Sequence, residues 1–172
     1  MAFHSYYDIT PLLEKIDRAM PVRRLPREDS LVRSRPATFA AFHDPENRYE
    51  LHYPAEWCLQ AGHAPTVSSP KIGLFARIDL LPPEGEVWER LLERMPRLSI
   101  RTRRAERAEG TIALSQRVLA WTGYAYALRA VRVILSTGLV EDDAPASIRA
   151  YRRGILASIR RQFRLGPGLR SD

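Results

Sequence analysis

The sequence predicts an α+β layered domain built on a mainly antiparallel sheet. Three observations carry this. Segments whose apolar residues alternate with period two recur between Phe39 and Thr137. The turn signals joining several of them are short enough for hairpins. Segments of helical period stand before, between and after the strands, which favours layers over a repeating strand–helix unit. The 172 residues, 45% hydrophobic and 27% charged, suit one globular domain with a short appendage. A chain of this length can bury about 70% of its unfolded surface.

The elements follow in chain order. Thr10 as N-cap and Pro11 at the first helical position open a short helix through Leu12, Leu13 and Ile16, which Pro21 stops. Residues 22–36 mix prolines and five arginines without a period and read as a connector. The expected organisation is thus an N-terminal helix and connector over 1–36, the main domain over 37–165 and a flexible tail over 166–172. The N-terminal arm either projects as an interaction appendage or wraps the domain. Phe39–His43 and Arg48–Tyr53 flank Asp44-Pro45-Glu46-Asn47, a hairpin turn, with Tyr49, Leu51 and Tyr53 on the dry face. Ile72, Leu74, Ala76, Ile78 and Leu80 mark another strand, with Arg77 and Asp79 on its opposite face. Glu86–Met95 sets Val87, Leu91, Leu92 and Met95 along a helical stripe ended by Pro96. Leu98, Ile100 and Thr102 give a shorter strand. Thr111–Trp121 and Tyr124–Thr137 read as a hairpin turning at Thr122-Gly123. A long closing helix follows, capped by Asp142 or Asp143 with Pro145 in its first turn. Its apolar stripe is Ile148, Tyr151, Ile155, Ile159 and Phe163.

One stretch carries a family likeness. Tyr49–Trp57 (YELHYPAEW), a strand running into Tyr-Pro with a tryptophan three residues later, resembles the opening of PsbP-like domains. Later pieces agree: GTIALSQRVLAW, the Gly-led YAYALRAVRVIL and the closing GILASIRRQF. The resemblance covers roughly residues 39–164. It extends to a superfamily of photosystem PsbP subunits, Mog-type Ran-binding proteins, DcrB-like bacterial proteins and some secretion-effector chaperones. It implies an α-β-α sandwich around an antiparallel sheet. It also implies a binding, assembly or chaperone role without a shared catalytic site. On the resemblance, Tyr53 and Trp57 should pack under the closing helix near Ile155 and Ile159.

Charge points to a partner. The net charge is +7, carried by 25 arginines and only two lysines, Lys15 and Lys71. The arginine excess is most simply a GC-rich codon bias, so distribution says more than number. Residues 39–96 hold 5 basic and 9 acidic groups, whereas residues 97–172 hold 15 and 6. At about 100° per residue, Arg149, Arg153, Arg160 and Arg164 share one arc of the closing helix, extended by Arg161. Arg152 lies off that arc, near the apolar edge. The arc is either a solvated face that also complements the helix dipole or a docking strip, joined by Arg101, Arg103, Arg104 and Arg107. As a strip it would take an acidic protein partner, with weak non-specific nucleic-acid binding as the alternative. Trp88 lies at the edge of its helical stripe and is the aromatic expected at a contact surface, or else at a buried edge.

Catalytic and cofactor signatures are missing. The sequence holds no GxGxxG, no Walker-type GxxxxGK and no G-x-S-x-G. The single Cys58 excludes an intramolecular disulfide and a cysteine-based zinc cluster. Beside Trp57 it reads as a buried inert thiol rather than a nucleophile served by His52 or His63. The histidines have no metal-ligand spacing, though His43, Asp44 and His52 could meet across the first hairpin. The paired carboxylates Asp142-Asp143 and Glu84/Glu86 sit where capping explains them. No catalytic, cofactor or metal residue is therefore assigned, and the expectation is a non-enzymatic protein-binding or assembly module. A nucleic-acid-binding protein using the basic C-terminal half, and a secretion-effector chaperone, are the alternatives. The opening residues lack a secretory-signal pattern and no apolar run reaches the length of a membrane span. The expected location is cytoplasmic.

Overall fold

A computed structural model describes residues 38–69 and 72–166. The expected N-terminal helix and most of the tail lie outside the described residues. Among the described residues ten strands and two helices form in the order β1 (Phe39–His43), β2 (Tyr49–Pro54), β3 (Cys58–Gln60), β4 (Thr66–Ser69), β5 (Leu74–Leu81), α1 (Val87–Arg94), β6 (Leu98–Arg103), β7 (Arg107–Ala113), β8 (Val118–Ala127), β9 (Arg132–Glu141), α2 (Ala146–Gln162) and β10 (Arg164–Leu165). Seven strands make one antiparallel sheet, ordered β3-β4-β5-β9-β8-β7-β6. A three-stranded sheet, β1-β2-β10, sits beside α2.

Strand alternation divides the core. On β5 and β9, Phe75, Leu81, Ile134 and Val140 face α1, while Leu74, Ala76, Ile78, Val133 and Leu135 face α2 and β2. These strands are buried on both faces, which is why both faces of β5 and β9 are apolar. Arg77 and Asp79 therefore do not reach solvent. They are 2% and 0% exposed and close a bidentate pair at 2.9 and 3.0 Å under the α1 layer, the arrangement a buried charge requires. Trp57, 6% exposed, joins Tyr53, Ile155 and Ile159 in the cluster beneath α2, as the tyrosine–proline–tryptophan stretch implied.

The first hairpin is as expected. Asn47 N–H donates to the Asp44 carbonyl at 2.8 Å, and Asn47 takes φ 56°, a conformation asparagine tolerates better than most residues. The second expected hairpin is not there. β8 runs unbroken through Thr122 and Gly123. The chain turns instead at Leu114–Arg117 and Leu128–Val131, where Leu114 and Leu128 donate to the Arg117 and Val131 carbonyls, both at 2.9 Å. Gly123 serves packing, not turning. A Cβ there would lie 2.5 Å from the Trp121 ring and 3.0 Å from Trp88.

Three further expectations are corrected. Trp88 is 1% exposed, sits edge-on to Trp121 with centroids 6.2 Å apart, and donates its indole N–H to the Arg104 carbonyl at 2.8 Å. It is therefore core, not contact surface: the apolar stripe of α1 is wide enough to take it in. Cys58 is exposed, because β3 is a three-residue edge strand with every residue open to solvent. Neither Asp142 nor Asp143 caps α2. Pro145 occupies the N-cap with no side-chain hydrogen bond, and Asp142 instead accepts from Ala144 N–H at 3.1 Å and from Arg152.

Candidate binding groove

Helix α2 covers only part of its face of the large sheet. It packs over β2, β5 and β9, reaches β8 at Tyr124, and leaves a cleft between itself and the strands β8, β7 and β6. Between them runs a groove of about 640 Å³. Small and polar residues that share one face of the strands, Ala120, Thr122 and Thr137, make the floor. Arg149, Arg153 and Arg160 line the helix wall, and Arg101 and Arg107 the opposite wall. Five arginines thus face three carboxylates, Glu109, Glu141 and Asp142.

Two of these arginines are engaged. Arg107 pairs with Glu109, two residues along the same strand and so on the same face. The Arg160 guanidinium lies 4.1 Å over the Tyr124 ring, with Arg107 approaching the same ring at 5.9 Å, a cation–π pair. Asp142 is held by Arg152 at 2.9 and 3.0 Å. Arg101, Arg149 and Arg153 are exposed and make no ion pair among the described residues. The groove therefore carries cations that are not neutralised, at positions where an incoming acid would meet them. Beside it, burial raises the Tyr126 hydroxyl above its ordinary pKa against the pull of Arg160, so the phenol stays neutral.

The sequence-derived strip is thus partly gathered. Arg149, Arg153 and Arg160 converge with Arg101 and Arg107. Arg161 is exposed on α2 but does not line the groove. Arg164 is not on the helix at all: α2 ends at Gln162, and Arg164 pairs in register with Glu50 on the small sheet. Arg103 reaches Glu86 at 3.8 Å. Tyr124 and Thr122 escaped the sequence reading, because taking Thr122-Gly123 as a turn removed the face they share. Continuing the alternation Leu119, Trp121, Gly123 through that dipeptide would have placed both opposite the tryptophan.

The other candidate constellations are not assembled. His43 and His52 both lean on Glu50, while Asp44 is occupied by Arg48, at 2.7 and 3.0 Å from its side chain and 3.1 Å from its N–H. His43, Asp44 and His52 therefore do not converge. Burial alone would raise the Asp44 pKa, but these Arg48 bonds outweigh it and hold the carboxyl below its ordinary value. Among the described residues no group of three or more His, Cys, Asp or Glu is placed to hold a metal ion, and no helix is long and apolar enough to cross a membrane.

No protein-family model matches the sequence, and no curated protein matches it. Solved structures do resemble the fold. A variant of protein Mog1 superposes with a TM-score of 0.50 at 9% identity, over 75% of this chain and 96% of that one. The Ran-binding protein Mog1p of Saccharomyces cerevisiae gives 0.49 at 9% identity, over 74% and 95%. LpqN, described as involved in cell envelope biogenesis of Mycobacterium tuberculosis, gives 0.41 at 12%, over 76% and 91%. The chain has a Mog1/PsbP-like α+β fold, with a mostly antiparallel sheet and helices packed on it.

Proposed function

We propose that the chain is a non-enzymatic protein-binding module, and that an acidic partner docks in the groove between α2 and the open strands β6–β8. The observation that carries this is the set of unneutralised guanidinia, Arg101, Arg149 and Arg153, brought together from two sides of one cleft. Solvated arginines scattered over a surface need no explanation; arginines from β6 and from α2 lining the same cleft do. Charge complementarity of this kind sets orientation and steers encounter.

The test is charge reversal. Arg149→Glu combined with Arg153→Glu should abolish low-salt retention of the full chain on an immobilised acidic polypeptide while leaving its thermal melt unchanged, since both side chains are exposed. Retention on duplex DNA should be weak. A log–log salt slope equivalent to several phosphate contacts, at about 0.9 per contact, together with undiminished DNA retention after the reversal, would move the reading to nucleic acid and away from the groove.

A further inference from the structure

Building on that reading, we infer that the groove takes an extended acidic segment of its partner, with at least three consecutive carboxylates whose side chains alternate between the two walls. The spacing of the cations carries this first. Arg149 and Arg153 stand four residues apart on α2, which is about 6 Å along the axis at 1.5 Å per residue. Side chains on one face of an extended chain repeat every 6.4–6.8 Å, roughly the same step. Carboxylates i and i+2 can then meet Arg149 and Arg153, while i+1, pointing the other way, meets Arg101 on the opposite wall.

The two walls add to this. Cations stand on both sides of the cleft, Arg149 and Arg153 on the helix and Arg101 and Arg107 on the strands. The side chains of an extended segment point alternately to opposite sides, whereas the i, i+4 residues of a helix all lie on one face.

A single-stranded nucleic acid is also extended and acidic, but it binds by stacking bases on exposed aromatic rings. The aromatic residues lining this groove are Tyr124 and Trp121. The Tyr124 ring is already covered by Arg160, with Arg107 close by, and Trp121 is 1% exposed. The groove presents charge without a stacking platform, which is the chemistry of a carboxylate-rich peptide.

The experiment is fluorescence anisotropy on the full chain at 50 and 300 mM salt with three labelled probes: a Gly/Ser coil peptide carrying four consecutive glutamates, an Ala-rich helical peptide carrying four glutamates at i, i+4 spacing, and a twelve-residue oligo-dT. The coil peptide should bind at least tenfold more tightly than the helical one and more tightly than oligo-dT, and should weaken with salt. Arg149→Glu/Arg153→Glu should abolish its binding, Arg153→Gln should weaken it several-fold, and Arg129→Glu/Arg161→Glu, the same change in net charge at exposed positions outside the groove, should leave it unchanged. A helical peptide that binds as well as the coil, and is still lost in the Arg149/Arg153 variant, overturns the extended-segment inference while the groove stands. Equal loss in the Arg129/Arg161 variant, or oligo-dT binding as tightly as the peptide, overturns the groove reading itself.

Discussion

Replacing Gly123 with alanine puts a methyl group where two tryptophan rings already lie. An added Cβ would sit 2.5 Å from Cζ2 and Cη2 of Trp121 and 3.0 Å from Cζ3 of Trp88, against an optimal carbon–carbon separation of about 3.5–4.0 Å. The shortfall is about 1 Å, and neither ring has room to retreat. Trp121 is enclosed, and Trp88 is tied by its hydrogen bond to the Arg104 carbonyl at 2.8 Å. Overpacking of a filled core costs about 1–3 kcal/mol, and this site belongs at the upper end. The matched control is Gly154→Ala on α2, where an added Cβ meets nothing within 4 Å; there alanine should gain roughly 0.5–1 kcal/mol from helix propensity. Urea unfolding followed by tryptophan fluorescence measures both, as opposite shifts of the midpoint with m unchanged. Gly123→Asn adds a test of topology. A hairpin turn would accept asparagine, whereas a strand position under two indoles should reject it more strongly than alanine. A Gly123→Ala protein as stable as the parent would refute the packing of α1 onto β8 through these rings.

Two other predictions rest on single side chains. Asp44 is held below its ordinary pKa in the folded state by Arg48, so the stability it contributes is full above the unfolded value of about 3.9 and is lost as pH falls through the lower folded value. As pH falls below about 4 the urea midpoint of the parent should drop more steeply than that of Asp44→Asn, and parallel curves would refute the pairing. Cys58 lies exposed on β3, so the native protein should titrate one thiol with Ellman's reagent without denaturant; a thiol silent until unfolding would place the edge strand elsewhere.

The sequence was most legible where one residue type does one job. Proline at position 96, the turn Asp44–Asn47 and the alternating Tyr49, Leu51 and Tyr53 gave elements whose observed bounds agree within one or two residues. It misled where glycine has two physical uses. Thr122-Gly123 has the composition of a turn, yet the glycine is there to admit the rings of Trp121 and Trp88, a demand set by α1, far away in sequence. Arg77 and Asp79 told a similar story: two charges two residues apart look like a wet face, and only the pairing between them permits burial. On the candidate site, helical periodicity grouped Arg149, Arg153 and Arg160 correctly. No local pattern could bring Arg101 to them, because that depends on where α2 crosses the sheet.

Helix α2 is fastened near both of its ends. Toward its start, buried Arg152 grips Asp142 at the exit of β9 at 2.9 Å. Just past its end, Arg164 and Leu165 pair with β2, and Gly166 N–H donates to the Arg48 carbonyl at 2.8 Å. A beam clamped at both ends does not tilt, so the wall formed by Arg149, Arg153 and Arg160 stands ready before any occupant arrives. For the acidic partner proposed above, this means that binding should spend little on ordering the receptor and that encounter should be governed by the field of the arginines. The association rate should therefore fall steeply with ionic strength, while residence time follows how well the bound segment fits.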